Sequence, residues 1–372
     1  MKKILLGTTA VVALGAFTTE AFAADKIALG LGGFLRDYVS YSNHDEAVGA
    51  NKDLKLGQFQ NGEVYVTGNT TLDNGIKVAA RIEMEASGEN QGTNNNDRVF
   101  MTLSSDQMGL LRLGVAAHMM DDHAVRAPMV GPADWGDIGD YVQFNGTGNA
   151  NSSALDIAGF GDNAIKIGYQ SPEFAGATIY ASYGVAEGSG GVAGRSLARN
   201  ATHDSATFGV AYSGEMGGAS VSADVGQAIF RAQTNGAPTA GSSVTDGMKV
   251  TRAGVNVGMA GFTIGGGYQT SNGDSAATAA VASLDGNAWE LGASYETGPY
   301  SVAAAYMRSK VDGLNTAGSD KWTAYQAGFG YDMGAGVGLV AQYVYSKQDD
   351  EATAATSNTS ASALIAGVEI GF

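Results

Sequence analysis

Apolar residues recur at every second position in short runs along nearly the whole chain. The clearest run covers residues 76–85, where Ile76, Val78, Ala80, Ile82 and Met84 fall on one face and Lys77, Ala79, Arg81, Glu83 and Glu85 on the other. A period of two marks a strand with one greasy face and one wet face. Comparable segments fall near 26–41, 55–71, 76–87, 97–104, 110–116, 163–170, 177–186, 205–213, 219–231, 247–258, 262–271, 287–296, 300–310, 321–331, 338–347 and 362–372. That makes sixteen, an even number. The last run ends on an aromatic residue, with Leu364, Ala366, Val368, Ile370 and Phe372 on its apolar face.

The connections alternate in length. Residues 73–75, 105–109, 171–176, 214–218, 260–261, 297–299 and 332–336 are tight and carry turn chemistry, whereas those between them are long and polar. One, from Ala116 to Asp162, has 47 residues, a length that in a compact protein usually means function. Short turns on one rim and long loops on the other describe an antiparallel transmembrane β-barrel with periplasmic turns and extracellular loops. Closure leaves no strand edge unpaired in lipid. Aromatic residues support this reading, because Tyr169, Phe174, Tyr212, Phe262, Tyr295, Tyr300, Phe329, Tyr331 and Phe372 flank the short turns, where a wall meets headgroups.

The first residues change the picture in one respect. Lys2 and Lys3 precede an apolar run from Ile4 to Phe17, and Ala21-Phe22-Ala23 follows. This is the layout of a secretory signal peptide, residues 1–23, cut after Ala23. The run is too short for a membrane helix, which needs roughly 20 residues. The remainder, 24–372, shows no break in composition and reads as one domain. Export without a single cysteine excludes disulfides, iron–sulfur clusters and thiol chemistry. A formal net charge of −16 argues against a nucleic-acid partner.

With these features the chain resembles the general diffusion porins of Gram-negative bacteria, in particular the alphaproteobacterial kind. The residues that carry the resemblance are Gly32-Gly33-Phe34 in the opening strand, Leu111-Arg112-Leu113-Gly114 before the longest loop, the stretch from Asn163 to Phe174 with its Tyr-x-Ser-Pro-x-Phe hairpin, and terminal Phe372. The resemblance implies a sixteen-stranded homotrimeric barrel in the outer membrane, in contact with its lipid. It also implies passive diffusion of ions and small hydrophilic solutes, and assembly machinery that reads the C-terminal strand at Phe372.

Strand parity puts Arg36, Lys77, Arg81, Arg98, Arg112 and Lys166 on the inward face of the first six strands, as one basic wall. The long loop, 116–162, carries Asp121, Asp122, Asp134, Asp137 and Asp140. In porins the loop at this place folds inward and narrows the channel, so by resemblance these aspartates face the arginines across a constriction. A transverse field there admits small polar solutes and ions and sieves them by size and charge. Excess acid in the loop and at Glu63, Glu83 and Glu85 points to a weak cation preference. Later inward positions, Asp224, Arg252, Asn256, Gln269, Glu290, Gln326 and Gln342, read as milder lumen lining.

His118, Asp121, Asp122 and His123 form a candidate metal-ligating cluster, and calcium in so acidic a loop is one reading, but the spacing matches neither an EF-hand nor a helical His-Glu-x-x-His site. His44 and His203 read as loop residues, so none of the four histidines is expected in a strand, where an embedded hydrolase would need one. No nucleophile elbow, phosphate loop or dinucleotide fingerprint occurs in the strand-to-helix setting it requires. Two alternatives remain. A channel selective for sugar or phosphate would want a track of inward aromatics, and these are few, chiefly Phe34, Tyr65, Phe100, Tyr180 and Phe230. A non-conducting adhesin would leave the basic wall and the long loop unexplained.

Overall fold

The computed structural model describes residues 26–44, 55–87, 96–142, 163–187, 203–232, 249–272, 285–312, 319–349 and 359–372. The signal peptide assigned to 1–23 and the far part of the long loop, 143–162, lie outside them. Sixteen strands follow one another: β1 (Ala28–His44), β2 (Leu56–Thr71), β3 (Lys77–Ser87), β4 (Asn96–Ser105), β5 (Gly109–Ala116), β6 (Ala164–Gln170), β7 (Ala177–Glu187) and β8 (His203–Met216) make the first half. The second half is β9 (Ala219–Ala232), β10 (Lys249–Met259), β11 (Phe262–Asn272), β12 (Gly286–Thr297), β13 (Tyr300–Asp312), β14 (Ser319–Gly334), β15 (Val337–Asp349) and β16 (Thr359–Gly371). Two short helices, α1 (Met119–His123) and α2 (Ile138–Tyr141), lie in the long connection after β5.

Each strand pairs antiparallel with its neighbours in sequence, and β1 pairs with β16, so the sheet is a closed barrel. Closure extends to the final residue. Gly33 donates its N–H to the Phe372 carbonyl at 2.9 Å, and Phe372 donates back to Gly33 at 3.1 Å. The short turns are tighter than the sequence implied. The one between β8 and β9 shrinks from 214–218 to Gly217-Gly218, both at positive φ, because Gly214 and Glu215 continue the ladder. Three hairpins turn on Ala-Gly, at Ala175, Ala260 and Ala335, with positive φ at both residues. That is the twist a two-residue hairpin needs, with alanine where asparagine is usual. The strands also run further towards the long loops, so His44 and His203, expected in loops, are the end residues of β1 and β8.

Alternation sorts the side chains as expected on the outside. Leu29, Leu31, Ile82, Met101, Ile167, Leu291 and Leu364 are exposed on one continuous outer face. Rings collect at both rims. Tyr300 stacks on Tyr331 and Phe262 meets Tyr295 beside the short turns, and Tyr325 with Tyr345 and Trp289 with Tyr306 form a second band near the long loops. This is the paired girdle of a membrane barrel. Only the first band was expected.

The inner face departs from the simple pattern. Along β13–β16 and β1 it carries an apolar patch among polar residues, and Met307, Trp322, Val344, Ala363, Ile365 and Tyr38 are buried there in one cluster with Ala133, Trp135, Ile138 and Val142 of the long loop. Over that patch these strands are greasy on both sides, one side for lipid and one for the loop. A second cluster joins Met119 and Met120 of α1 to Tyr180, Ala228, Phe230 and Val250 on β7, β9 and β10. The loop touches the inward-facing residues of strand after strand around the sheet, a path that exists only inside a closed barrel.

Glycines make room for it. Gly254 on β10, Gly292 on β12 and Gly328 on β14 all point inward, and a Cβ at any of them would fall inside van der Waals contact with the carbonyl of Val125, Pro128 or Val130. Their backbone is ordinary extended strand, so what they supply is space. Replacing Gly328 by valine, a good strand former, should leave the barrel folded and displace the loop. The expected readout is unchanged far-UV circular dichroism, with larger conductance and faster proteolytic cutting between residues 124 and 142.

Candidate functional site

The loop is pinned to the wall by polar side chains that interrupt the apolar packing. A backbone segment inside a barrel must find partners for its own N–H and carbonyl groups. On β9 and β10 the Asp224 carboxylate accepts from Val125 N–H at 2.8 Å, Arg252 donates to the Val125 carbonyl at 2.9 Å, and Asn256 donates to the Arg126 carbonyl at 3.0 Å. Asp224 and Arg252 also pair with each other at 3.2 Å, buried. Glu290 on β12 accepts from Ala127 N–H at 2.9 Å and from the indole N–H of Trp135. Gln342 on β15 exchanges two 2.9 Å bonds with the backbone of Ala133, and Gln326 donates to the Met129 sulfur.

Sequence parity placed Asp224, Arg252, Asn256, Glu290, Gln326 and Gln342 inward but read them as mild lumen lining. Their work is anchorage. A signal was present for Asp224 and Glu290, because their nearest inward neighbours along the strand, Ser222 and Gly226, Ala288 and Gly292, are small, and a carboxylate there needs a partner. That partner is a loop backbone, and spacing along the chain does not reveal it.

The basic wall is distributed differently from the simple expectation. Arg36, Arg81, Arg98 and Arg112 do face inward on β1, β3, β4 and β5. Three are propped on rings. The Arg36 guanidinium lies 4.2 Å from the centre of Phe34, Arg81 lies 4.0 Å from Tyr65, and Arg112 lies 5.7 Å from Phe100. The inward aromatics counted as a sparse greasy track are thus seats for cations. Arg81 pairs with Glu83, Arg98 lies 3.8 Å from Glu83 and 3.6 Å from Asp97, and Arg112 pairs with Asp122 of α1 at 2.5 Å. Lys77 opens β3 beside a short turn, so it stands at the rim. Lys166 is buried, with its ammonium 3.1 Å from the Ala116 carbonyl, and acts as a strut at the start of the loop where a channel charge was expected.

Of the loop aspartates, Asp122 meets the wall directly. Asp134 pairs within the loop, 3.3 Å from Arg126. Asp137 and Asp140 are exposed at the two ends of the first turn of α2, and Asp121 is half-buried in α1. The cluster His118, Asp121, Asp122 and His123 does not assemble as a ligand set. His118 is fully buried with both ring nitrogens 2.7 Å from the hydroxyls of Ser182 and Ser205, and Asp122 belongs to Arg112. His123 stacks on Tyr180 at 4.7 Å and bonds Gln170. Among the described residues the carboxylates that do come together are Glu63, Glu85 and Asp97, within 4.8 Å of one another on the inner wall of β2–β4.

A model of the Gram-negative porin family matches residues 8–351. The chain belongs to that family. It is an outer-membrane channel protein built on a closed sixteen-stranded barrel. No curated protein matches the sequence. Among solved structures, the anion-selective porin from Comamonas acidovorans is similar at a TM-score of 0.64 and 18% identity, over 93% of this chain and 100% of that one. OmpT of Vibrio cholerae in its trimer form gives 0.63 and 15%, over 94% and 100%. The outer membrane channel DcaP of Acinetobacter baumannii gives 0.61 and 17%, over 96% and 100%. At these identities the likeness is one of fold, and the inner-wall residues of this porin have to be read on their own.

Two outcomes test the anchorage. Truncating Glu290 to alanine removes one acceptor from two buried donors, a loss on the order of 3 kcal/mol to loop docking. Single-channel records of Glu290→Ala should show larger, noisier currents than the parent, whereas Glu290→Gln, which keeps an acceptor, should fall between them. Burial lowers the pKa of His123, against the opposing pull of Asp122. The neutral ring is therefore the docked form, and the docking it supports is lost as pH falls below the ordinary histidine range. Current noise should rise between about pH 7 and about pH 5 in the parent and stay flat in His123→Gln.

Proposed function

We propose that this porin passes ions and small hydrophilic solutes by passive diffusion, sieves them by size and charge, and weakly prefers cations. The observation that supports this best is the division of the lumen. A loop pinned to the far wall faces arginines that are held by rings and carboxylates on β1–β5. The two sides together would make the constriction: Arg36, Arg81, Arg98 and Arg112 on one, and Asp121, Asp122, Asp134, Asp137 and Asp140 on the other. Water and polar solutes exchange hydrogen bonds in such a passage, while apolar solutes lose ordered water. The cation preference rests on the excess of acid in the loop and at Glu63, Glu83 and Glu85 on the wall.

Selective channels are the poorer fit. Phe34, Tyr65 and Phe100 each carry a guanidinium, so they do not offer a bare aromatic slide to a sugar. Arg81, Arg98 and Arg112 each have a carboxylate partner, which a phosphate would have to displace. The trimer form known for OmpT of Vibrio cholerae supports a homotrimer here. Phe372, exposed on the outer face where β16 meets β1, is the residue on which recognition by assembly machinery is proposed to rest.

Planar-bilayer recording tests the whole reading. Nearly ohmic steps in groups of three are expected, with a reversal potential in a salt gradient on the cation side. A charge about 8 Å from an ion in water shifts its energy by about 0.5 kcal/mol, a factor of about two in permeability. Arg112→Ser should therefore raise the cation-to-anion ratio about twofold, and Asp137→Asn with Asp140→Asn should lower it by a similar factor. Absence of steps from a correctly folded barrel would remove the diffusion reading.

A further inference from the structure

The outer wall carries its positive charge unevenly. On β13, β14 and β15 the outward side chains line up in rows across the sheet. Tyr306, Tyr325 and Tyr345 form one row, in the ring band near the long loops. Two residues further towards those loops stand Arg308, Thr323 and Lys347, and two further again Lys310, Lys321 and Asp349. The rows end on neutral residues, with Asn287 of β12 opposite Lys310 and Ser360 of β16 opposite Lys347. A chain of net charge −16 thus gathers four cations and one carboxylate on three adjacent strands.

Alone, the arrangement is unfavourable. Lys310 and Lys321 are direct cross-strand partners, a position where like charges destabilise the pair. Lys347 is taken up by Asp349 at 2.8 Å, and among the described residues no carboxylate lies within ion-pair distance of Arg308, Lys310 or Lys321. An anion shared between these three would turn repulsion into attraction.

Height decides which anion can reach them. A strand rises about 3.4 Å per residue and the tilt of a barrel lowers that, so the two charged rows stand about 5 and about 10 Å above the tyrosines. Girdle rings mark the hydrocarbon boundary, and the headgroup layer beyond it is roughly 5–8 Å deep on each side. Arg308 lies within that layer, and the lysines above it can reach down into it along their stems. A guanidinium flanked by ammonium groups, with the Thr323 hydroxyl between strands, is a donor set for phosphate oxygens. Free phosphate has no use for the rings beneath, whereas a lipid lays its chains against them.

We propose that this patch holds a lipid whose headgroup carries an anionic phosphate. The phosphate sits on Arg308, Lys310 and Lys321, and the acyl chains run down past Trp289, Tyr306 and Tyr325.

The reporter for a test is built in. Of the three tryptophans, Trp135 and Trp322 are 1% and 0% exposed inside the barrel, and Trp289, opposite Arg308, faces outward at 40%. With the full-length protein in phosphatidylcholine vesicles, Trp289 emission is read as brominated phosphatidic acid or brominated phosphatidylcholine replaces part of the lipid. Phosphatidic acid should quench with a relative association constant about tenfold that of phosphatidylcholine. The triple variant Arg308→Ser, Lys310→Ser, Lys321→Ser should keep its sheet signal and its quenching by brominated phosphatidylcholine, and lose the preference. Lys321→Glu alone, near the exposed strand end, should weaken the preference in the same direction. Equal quenching by the two lipids in the parent, or a preference that survives both variants, would overturn the proposal. So would a preference abolished by inorganic phosphate, which would make the patch a site for the free ion.

Discussion

Everything narrow in this channel depends on how a stretch of irregular backbone satisfies its hydrogen bonds inside a barrel. Residues 124–133 run along the inner wall with few bonds among themselves, and the strands supply acceptors and donors at the places where the loop needs them: Asp224 and Arg252, Asn256, Glu290 and Gln342. An unpaired backbone group in that setting is expensive, so these bonds fix the path of the loop as well as its presence. The inward glycines are the complement of the same constraint. A bond between a strand side chain and a loop backbone is possible only if the strand beside it stays out of the way.

From that path follows the electrical layout. The loop lies against the inner wall of β13–β16 and β1, and the charges of β2–β5 are gathered beside it, paired with one another or with the loop. Arg112 joins the two halves by reaching Asp122 of α1 and the carbonyl of Ala117. The remaining arginines are held close to the wall by rings and neighbouring carboxylates. A lumen so arranged holds its fixed charge against the wall.

The barrel was legible because a membrane forces period two on the outer face, and sixteen runs with alternating turn lengths leave little else to build. Errors of a few residues at strand ends arose where Gly214 or Asp332 looked like turn chemistry and proved to be ladder. The site was legible by parity for Arg36, Arg81, Arg98 and Arg112, since inward or outward is decided by counting. It was not legible for Lys166, Glu290, His118 or His123, whose roles are set by residues far away in sequence. His118 shows why: its partners, Ser182 and Ser205, are 64 and 87 residues downstream, and only the closed sheet brings them to it. The apolar patch on the inner face of the last strands was the plainest departure, because a half-greasy pattern was assumed wherever lipid was expected outside.

The distance along the chain between the loop and its anchors has a consequence for how the channel comes into being. Ala133 and Gln342 are 209 residues apart, and the loop's apolar bed is assembled from β13 to β16 together with β1. That bed does not exist until the last strand has met the first. Contacts of such long separation form late, since chain closure must come before they reward it. By that order the barrel closes first, and a segment synthesised in the first half of the chain then settles onto a wall completed by the second.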